Sequence, residues 1–199
     1  MVGGFAESKL LLRRVQAAFE RDGVRIVVPG RPGLAVLRGA VLLGLGAADR
    51  FTSRIARFTY GVQISVRYDP ADPDHVGRAT SSGKLKGVSV THVCNAFSVI
   101  VRQGTSVQLD EVQKSCTLYC CYDHQCEVQF VIFATPLSTG KWTTDAGMTR
   151  LGKVVLPATV EDSLHMELYF GRTELQAVAV NGRTGQRQRV AVDYNFRSI

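Results

Sequence analysis

Apolar residues recur at helical spacing near the start of the chain. Leu11, Leu12, Val15, Ala18 and Phe19 fall on one face, and Arg13, Arg14 and Glu20 on the other. Ser8 is placed to cap this helix, and Asp22-Gly23 to close it. Residues 25–28 form a short apolar run that predicts a strand, and Pro29-Gly30 and Pro32-Gly33 punctuate the chain directly after it. Residues 34–45 read as a second helix, apolar nearly all round and therefore buried. Helix, strand, helix is an α/β pattern, but one strand and two helices cannot cover both faces of a parallel sheet. This stub is expected to be the tail of a larger domain or to dock on something.

The texture changes from Tyr60 onward. Short alternating or apolar runs at 61–68, 88–102, 116–121, 126–134, 152–156, 165–170, 175–180 and 188–194 predict strands. Leu175, Ala177 and Ala179 oppose Gln176, Val178 and Val180, a period of two. Turn signals lie between the runs, at 69–74, at Ser81-Ser82-Gly83 and at Asn181-Gly182. The expected class is α+β: an α/β stub over residues 1–48, a basic linker over 49–58, and an antiparallel β-sandwich over 59–199.

Charge sharpens that division. Residues 1–58 carry ten Lys/Arg against four Asp/Glu, and residues 59–199 carry fourteen against thirteen. The basic excess therefore sits in the first segment. No aromatic residues interleave with it, so a solvated helix face and a basic linker are expected rather than a nucleic-acid surface. The longest apolar run, 34–48, is broken by Arg38 and three glycines and is too short for a membrane span. No leader-like stretch precedes the cysteines, so a cytoplasmic chain with reduced thiols is expected.

Cys116, Cys120, Cys121, His124 and Cys126 crowd into one segment. Structural zinc sites pair C-x₂₋₄-C knuckles from two places, and a single hairpin does not provide that. No metal is expected, and the thiols are read as buried and inert, with one or two exposed. No G-x-S-x-G elbow is present, and the four histidines sit in unrelated contexts. Residues 182–185 are a hairpin turn rather than a phosphate loop, because no Lys-Ser/Thr follows. Trp142 lies in a polar loop, where it is either an exposed anchor or packed beneath that loop. Residues 68–88 are expected to form a long loop that fills or reshapes a groove.

Two stretches now point to a family. Val2-Gly3-Gly4-Phe5-Ala6-Glu7-Ser8 resembles the adenosine motif of actin-like ATPases, and residues 32–40 resemble the last helix of the Hsp70 ATPase domain. Thr59-Tyr60-Gly61-Val62, residues 102–107, 151–156, 168–170, 174–180 and Thr184-Gly185-Gln186 are similar to strands of the Hsp70 substrate-binding β domain. The resemblance is closer to the heat shock 70 kDa protein 12A/12B branch than to ordinary Hsp70.

The resemblance implies an actin-like ATPase remnant, then a substrate-binding-type β domain with no helical lid. Gly3, Gly4, Phe5 and Glu7 would form part of a nucleotide site. Glu7 stands where ordinary Hsp70 has an adenine-stacking arginine. The phosphate loop, catalytic lysine and Mg²⁺-positioning acids are expected upstream of Met1. ATP or ADP would therefore bind only together with that part, and the chain is not expected to be an enzyme by itself. Leu118, Cys121, Val128 and Phe130 would lie near a peptide groove, or in the sandwich core. The implied function is chaperone-related binding of unfolded or extended peptide or of client proteins, with neither nucleic acid nor membrane as partner. The alternatives are an ATP-hydrolysing Hsp70-type parent and a regulatory interaction fragment. Exposed faces of the stub helices would favour self-association.

Overall fold

The architecture is that of a computed structural model, which describes residues 1–45, 52–109, 111–171 and 174–192. Residues 49–51 of the expected linker and residues 193–194 of the expected last strand lie outside these. The chain divides into two compact units, Met1–Thr52 and Ser53–Ile199. The class is α+β, with two helices followed by antiparallel sheets.

In the first unit, helix α1 spans Lys9–Phe19 and helix α2 spans Pro32–Gly44. The Ser8 hydroxyl caps α1 by accepting the Leu11 N–H at 3.3 Å. The chain leaves α1 through a 3₁₀ turn that ends at Gly23, whose φ of 76° is left-handed. Pro32 opens α2, where its missing N–H costs nothing.

Two expectations fail here. Residues 25–28 are irregular rather than a strand. The described residues of this unit contain no sheet for them to join, and a strand without a ladder leaves its backbone groups unpaired. Helix α2 is not buried either: Leu37 is 63% exposed, and Val36, Val41 and Leu42 are also exposed. An all-round apolar helix needs neighbours on every side, and within this unit α1 and two short turns cannot supply them.

In the second unit, β1 is Ser53–Ile55, β2 Thr59–Arg67, β3 Thr80–Leu85, β4 Val88–Val101 and β5 Ser106–Gln108. Next along the chain are β6 Val112–Lys114, β7 Glu127–Thr135, β8 Thr149–Pro157, β9 Leu164–Phe170, β10 Leu175–Asn181 and β11 Arg187–Val192. One sheet has the order β3-β4-β2-β7-β8, another β11-β10-β9-β6, and β1 pairs with β5. Residues 53–58, read as linker, thus belong to this unit: Ser53–Ile55 pairs with Ser106–Gln108, and Ala56 is buried.

The two larger sheets share one apolar core. Tyr60, Val62, Phe130, Ile132 and Leu156 come from one sheet, and Leu164, Met166, Leu168, Phe170 and Leu175 from the other. The alternation of inward and outward residues places them there. Trp142 is buried rather than an exposed anchor: the Arg78 guanidinium lies 4.3 Å over its ring, and His75 meets it edge-on at 6.1 Å.

Residues 68–88 do not form one long loop. Thr80–Leu85 pairs with β4, and the turn falls at Lys86-Gly87 rather than at Ser81-Ser82-Gly83. Lys86 and Gly87 have φ values of 50° and 77°, the left-handed pair that a two-residue hairpin requires. Residues 116–121 are not a strand; apart from the Leu118–Leu164 bridge they are irregular.

Two buried carboxylates fasten the second sheet. Glu167 accepts hydrogen bonds from the Tyr169 hydroxyl at 2.7 Å and from Arg187, with His165 at 3.2 Å and Lys114 at 3.6 Å. Burial alone would raise this carboxyl, but the bonds from Tyr169, His165 and Arg187 outweigh it and hold it below the ordinary range. Asp162 joins the turns before β9 and after β10. It accepts the Thr159 N–H at 2.8 Å and the Arg183 guanidinium.

The Thr159 N–H first, and then Arg183, lower the Asp162 carboxyl from 3.8 to about 2. A carboxyl depressed in the folded state contributes stability above its unfolded value and loses it as pH falls through the folded one. Urea midpoints of the chain should therefore fall between about pH 4 and pH 2. Asp162→Asn should be less stable at pH 7 and flatter across that window. An equally steep acid limb in the variant would exclude Asp162 as its source.

Candidate functional site

The two central strands of the five-stranded sheet part company halfway along. The ladder between β2 and β7 runs only from Thr59–Thr135 to Val62–Ile132. Both strands continue beyond it, β2 to Arg67 and β7 back to Glu127. Their outer edges stay paired, β2 with β4 and β7 with β8. Their inner edges line opposite sides of a cavity of about 600 Å³, whose wall includes Gln63, Ile64, Ser65 and Arg67 on one side and residues 127–131 on the other.

Residues 117–121 and Gln125 form the remaining side, with Leu85 and His92 from the β3–β4 hairpin. This segment leaves β9 after the Leu118–Leu164 bridge and crosses to the hairpin as a strap. The Tyr122 hydroxyl donates to the Ser81 carbonyl at 2.6 Å. Its ring lies so close over Gly83 that an added Cβ would sit 2.5 Å from it, which explains the glycine in mid-strand. The Asp123 carboxylate accepts the N–H groups of Lys86 at 2.6 Å and Gly87 at 3.0 Å, and these hold its carboxyl below the usual range. The Asp123 N–H donates to the Lys84 carbonyl at 2.8 Å. Gln125 braces the strap from within by accepting the Tyr122 N–H at 2.9 Å.

Leu118, Cys121, Val128 and Phe130, expected near a groove or in the core, all reach this cavity. They do not all play the same part. Phe130 is 2% exposed and belongs to the shared core while also lining the cavity; Leu118 and Val128 pack partly against that core. Burial pushes the Cys120 and Cys121 thiols up, so neither is a ready thiolate. Cys116 and Cys126 are exposed. Among the described residues, no three His, Cys, Asp or Glu side chains converge as a metal site.

Sequence reasoning missed the β2 wall, His92 and the strap. Gln63, Ser65 and Arg67 alternate with apolar residues like any half-exposed strand, so nothing marked them as facing a gap. The polar run Tyr122-Asp123-His124-Gln125 falls between the strands expected at 116–121 and 126–134, and it is the local signal that could have marked the strap.

The residues expected at a nucleotide lie in the first unit. Gly4–Glu7 forms a 3₁₀ turn, and Gly3 has a φ of 90° and donates its N–H to the Pro32 carbonyl at 2.8 Å. Phe5 is 77% exposed. A Cβ on Gly33 would lie 3.2 Å from the Glu7 carboxylate, so this turn and the start of α2 are closely apposed. At Gly4 a Cβ would meet nothing within 4 Å, so packing inside the unit does not demand that glycine.

No described helix is long and apolar enough to cross a membrane. No protein-family model matches the chain. It is 30% identical to human heat shock 70 kDa protein 12B over a 209-residue alignment. It is 31% identical over 204 residues to heat shock 70 kDa protein 12A of Homo sapiens, and equally to that of Mus musculus. Each match covers 98% of this chain and 29% of the relative, so the chain spans less than a third of the length of these curated relatives. In sequence, the chain is therefore similar over nearly all of its length to part of heat shock 70 kDa proteins 12A and 12B.

Proposed function

We propose that the second unit binds an extended peptide segment, of an unfolded chain or a partner protein, in the cleft between β2 and β7. One observation carries this reading: two neighbouring strands lose their mutual ladder after four residue pairs, yet both continue along a cavity. Backbone groups on the facing edges can pair with an added strand, the usual source of affinity in strand addition. Leu118, Val128 and Leu85 offer apolar contacts for alternate side chains along the cavity wall. The relation to Hsp70-family proteins supports the same class of ligand.

The direct test is titration of the isotopically labelled full chain with a short, end-blocked apolar peptide. Backbone NMR shifts are expected in residues 63–67 and 127–131, with residues 187–192 unmoved. Silence in both cleft edges at millimolar peptide would exclude this function.

The length of the relatives favours a second reading, that the chain acts as the peptide-binding end of an ATP-dependent parent. Phosphoryl transfer needs a phosphate cradle, Mg²⁺ ligands and a positioned base. On this reading the chain alone is no enzyme, and Gly3, Gly4, Phe5 and Glu7 supply only part of the adenosine contact. Calorimetric titration with ATP and ADP tests it: the isolated chain should bind no tighter than about 10 µM, roughly 7 kcal/mol. Tighter binding, or any turnover lost on replacing Gly3, would overturn the partial-site view.

A further inference from the structure

Contacts of the strap fix its course along the β3–β4 hairpin. Asp123 sits at the hairpin tip, bound to Lys84, Lys86 and Gly87. Tyr122 lies one step farther from the tip, with its ring over Gly83 and 5.2 Å from His92, and its hydroxyl on Ser81. Cys121 comes next on this course, its N–H donated to the Gln125 side chain at 2.5 Å. The next rungs of the hairpin are Thr80–Val93 and Ala79–Cys94, the second held by the Cys94 N–H on the Ala79 carbonyl at 2.9 Å. Cys94 is two residues from His92 in β4, so its side chain shares the face that Tyr122 covers. Burial first, and Cys94 second, push the Cys121 thiol up, so the two sulfurs lie within electrostatic reach. Both residues are half-buried, and Cys121 also lines the cleft. The other thiols are committed elsewhere. Cys120 belongs to the shared core, Cys116 meets the Ser98 hydroxyl at 3.6 Å, and the Cys126 carbonyl accepts the Ala158 N–H at 3.0 Å.

We propose that Cys94 and Cys121 form a redox-sensitive clasp, which a peroxide closes into a disulfide and which then fastens the strap to β4. Cys121 is the partner that a small oxidant reaches through the cleft. Its thiolate attacks the peroxide O–O bond and takes one oxygen, becoming a sulfenic acid. The other oxygen leaves as hydroxide and takes up the thiol proton to become water. The Cys94 sulfur then displaces the hydroxyl of the sulfenic acid, which departs with the Cys94 proton as a second water. Two electrons pass from the thiol pair to the peroxide. A thiol raised by burial supplies little thiolate at neutral pH, so closure is slow and needs sustained peroxide. Residues 117–121 form one side of the cleft, and the clasp adds a covalent bond to the contacts of Tyr122 and Asp123 that hold them there. On the peptide-binding reading of the cleft, a wall fixed in this way slows the entry and release of peptide.

Disulfide mapping by mass spectrometry tests this on the full chain, oxidised with hydrogen peroxide and then reduced with dithiothreitol. Two of the five thiols should be lost and recovered together, with the cross-linked pair Cys94–Cys121 as the dominant product. Cys94→Ser and Cys121→Ser should each abolish that product, and Cys126→Ser should leave it in place. The map of the unsubstituted chain decides the pairing even if a serine variant does not fold. Hydrogen exchange of residues 117–123 should slow in the oxidised chain and recover on reduction. A dominant bridge between any other two cysteines, or a sulfinic acid at Cys121 with no bridge to Cys94, overturns the clasp, as does a strap that exchanges equally fast in both forms. A pre-bound apolar peptide should leave the oxidised chain several-fold more slowly, and equal release from both forms would remove the clasp's control of the cleft. If neither form binds peptide, the proposed function fails, and the disulfide map still decides the clasp.

Discussion

Gly61→Ala is expected to destabilise the second unit by about 3 kcal/mol, at the upper end of ordinary overpacking. An ideal Cβ at Gly61 would lie 2.1 Å from the Ser98 carbonyl oxygen and 2.8 Å from the Phe97 ring. The first of these is backbone in the middle of β4, so no side-chain rotation relieves it. Either β2 or β4 must move, and β2 sits between β4 and β7 in the centre of its sheet. The ladder already shifts register between Tyr60 and Gly61, and the glycine lets the two strands approach at that irregularity. Thermal unfolding should show a drop of roughly 6–12 °C. A drop below about 2 °C would mean that the two strands do not approach this closely.

Phe130→Ala should cost about 3–5 kcal/mol, the usual range for truncating a buried aromatic residue. It belongs to the same buried cluster as Tyr60, Val62 and Ile132 of its own sheet and Leu164, Met166 and Leu168 of the facing one. The same truncation would join the cleft to the core, because Phe130 also forms part of the cleft floor. Leu118→Ala, at a half-buried position on the cavity wall, should cost clearly less. Urea unfolding of both variants separates the two roles. If Phe130→Ala cost less than Leu118→Ala, the assignment of floor and wall would be reversed. The Phe130 variant should also bind peptide more loosely, since a softened floor holds the facing strand edges less firmly in place.

These two residues show unequal legibility. Gly61 was visible as part of Thr59-Tyr60-Gly61-Val62, but the motif alone did not say what a side chain there would strike. Phe130 was visible as apolar, but nothing in the pattern separated core from cleft. In a strand with a period of two, inward residues look alike whether they meet the opposite sheet or a gap. Leu118 and Cys121 were placed by an expected strand that did not form, yet they reach the cavity because the irregular strap carries them over it.

The chain's own pattern of apolar and polar residues determined the two helices, most of the strands from β2 onward and the α+β class. These are local properties: caps, turn chemistry and periodicity act over a few residues. The resemblance to heat shock 70 kDa proteins 12A and 12B, too, was written in short stretches such as Gly3-Gly4-Phe5-Ala6-Glu7 and residues 174–180. Only the tertiary structure decided that residues 25–28 lack a sheet to join, that β3 replaces a loop, and that α2 stays exposed within its unit. It alone parted β2 from β7 and set Arg67 beside His92. Strand partners lie tens of residues apart, so which edges pair and which are left open depends on how the whole sheet closes, and no local pattern carries that information.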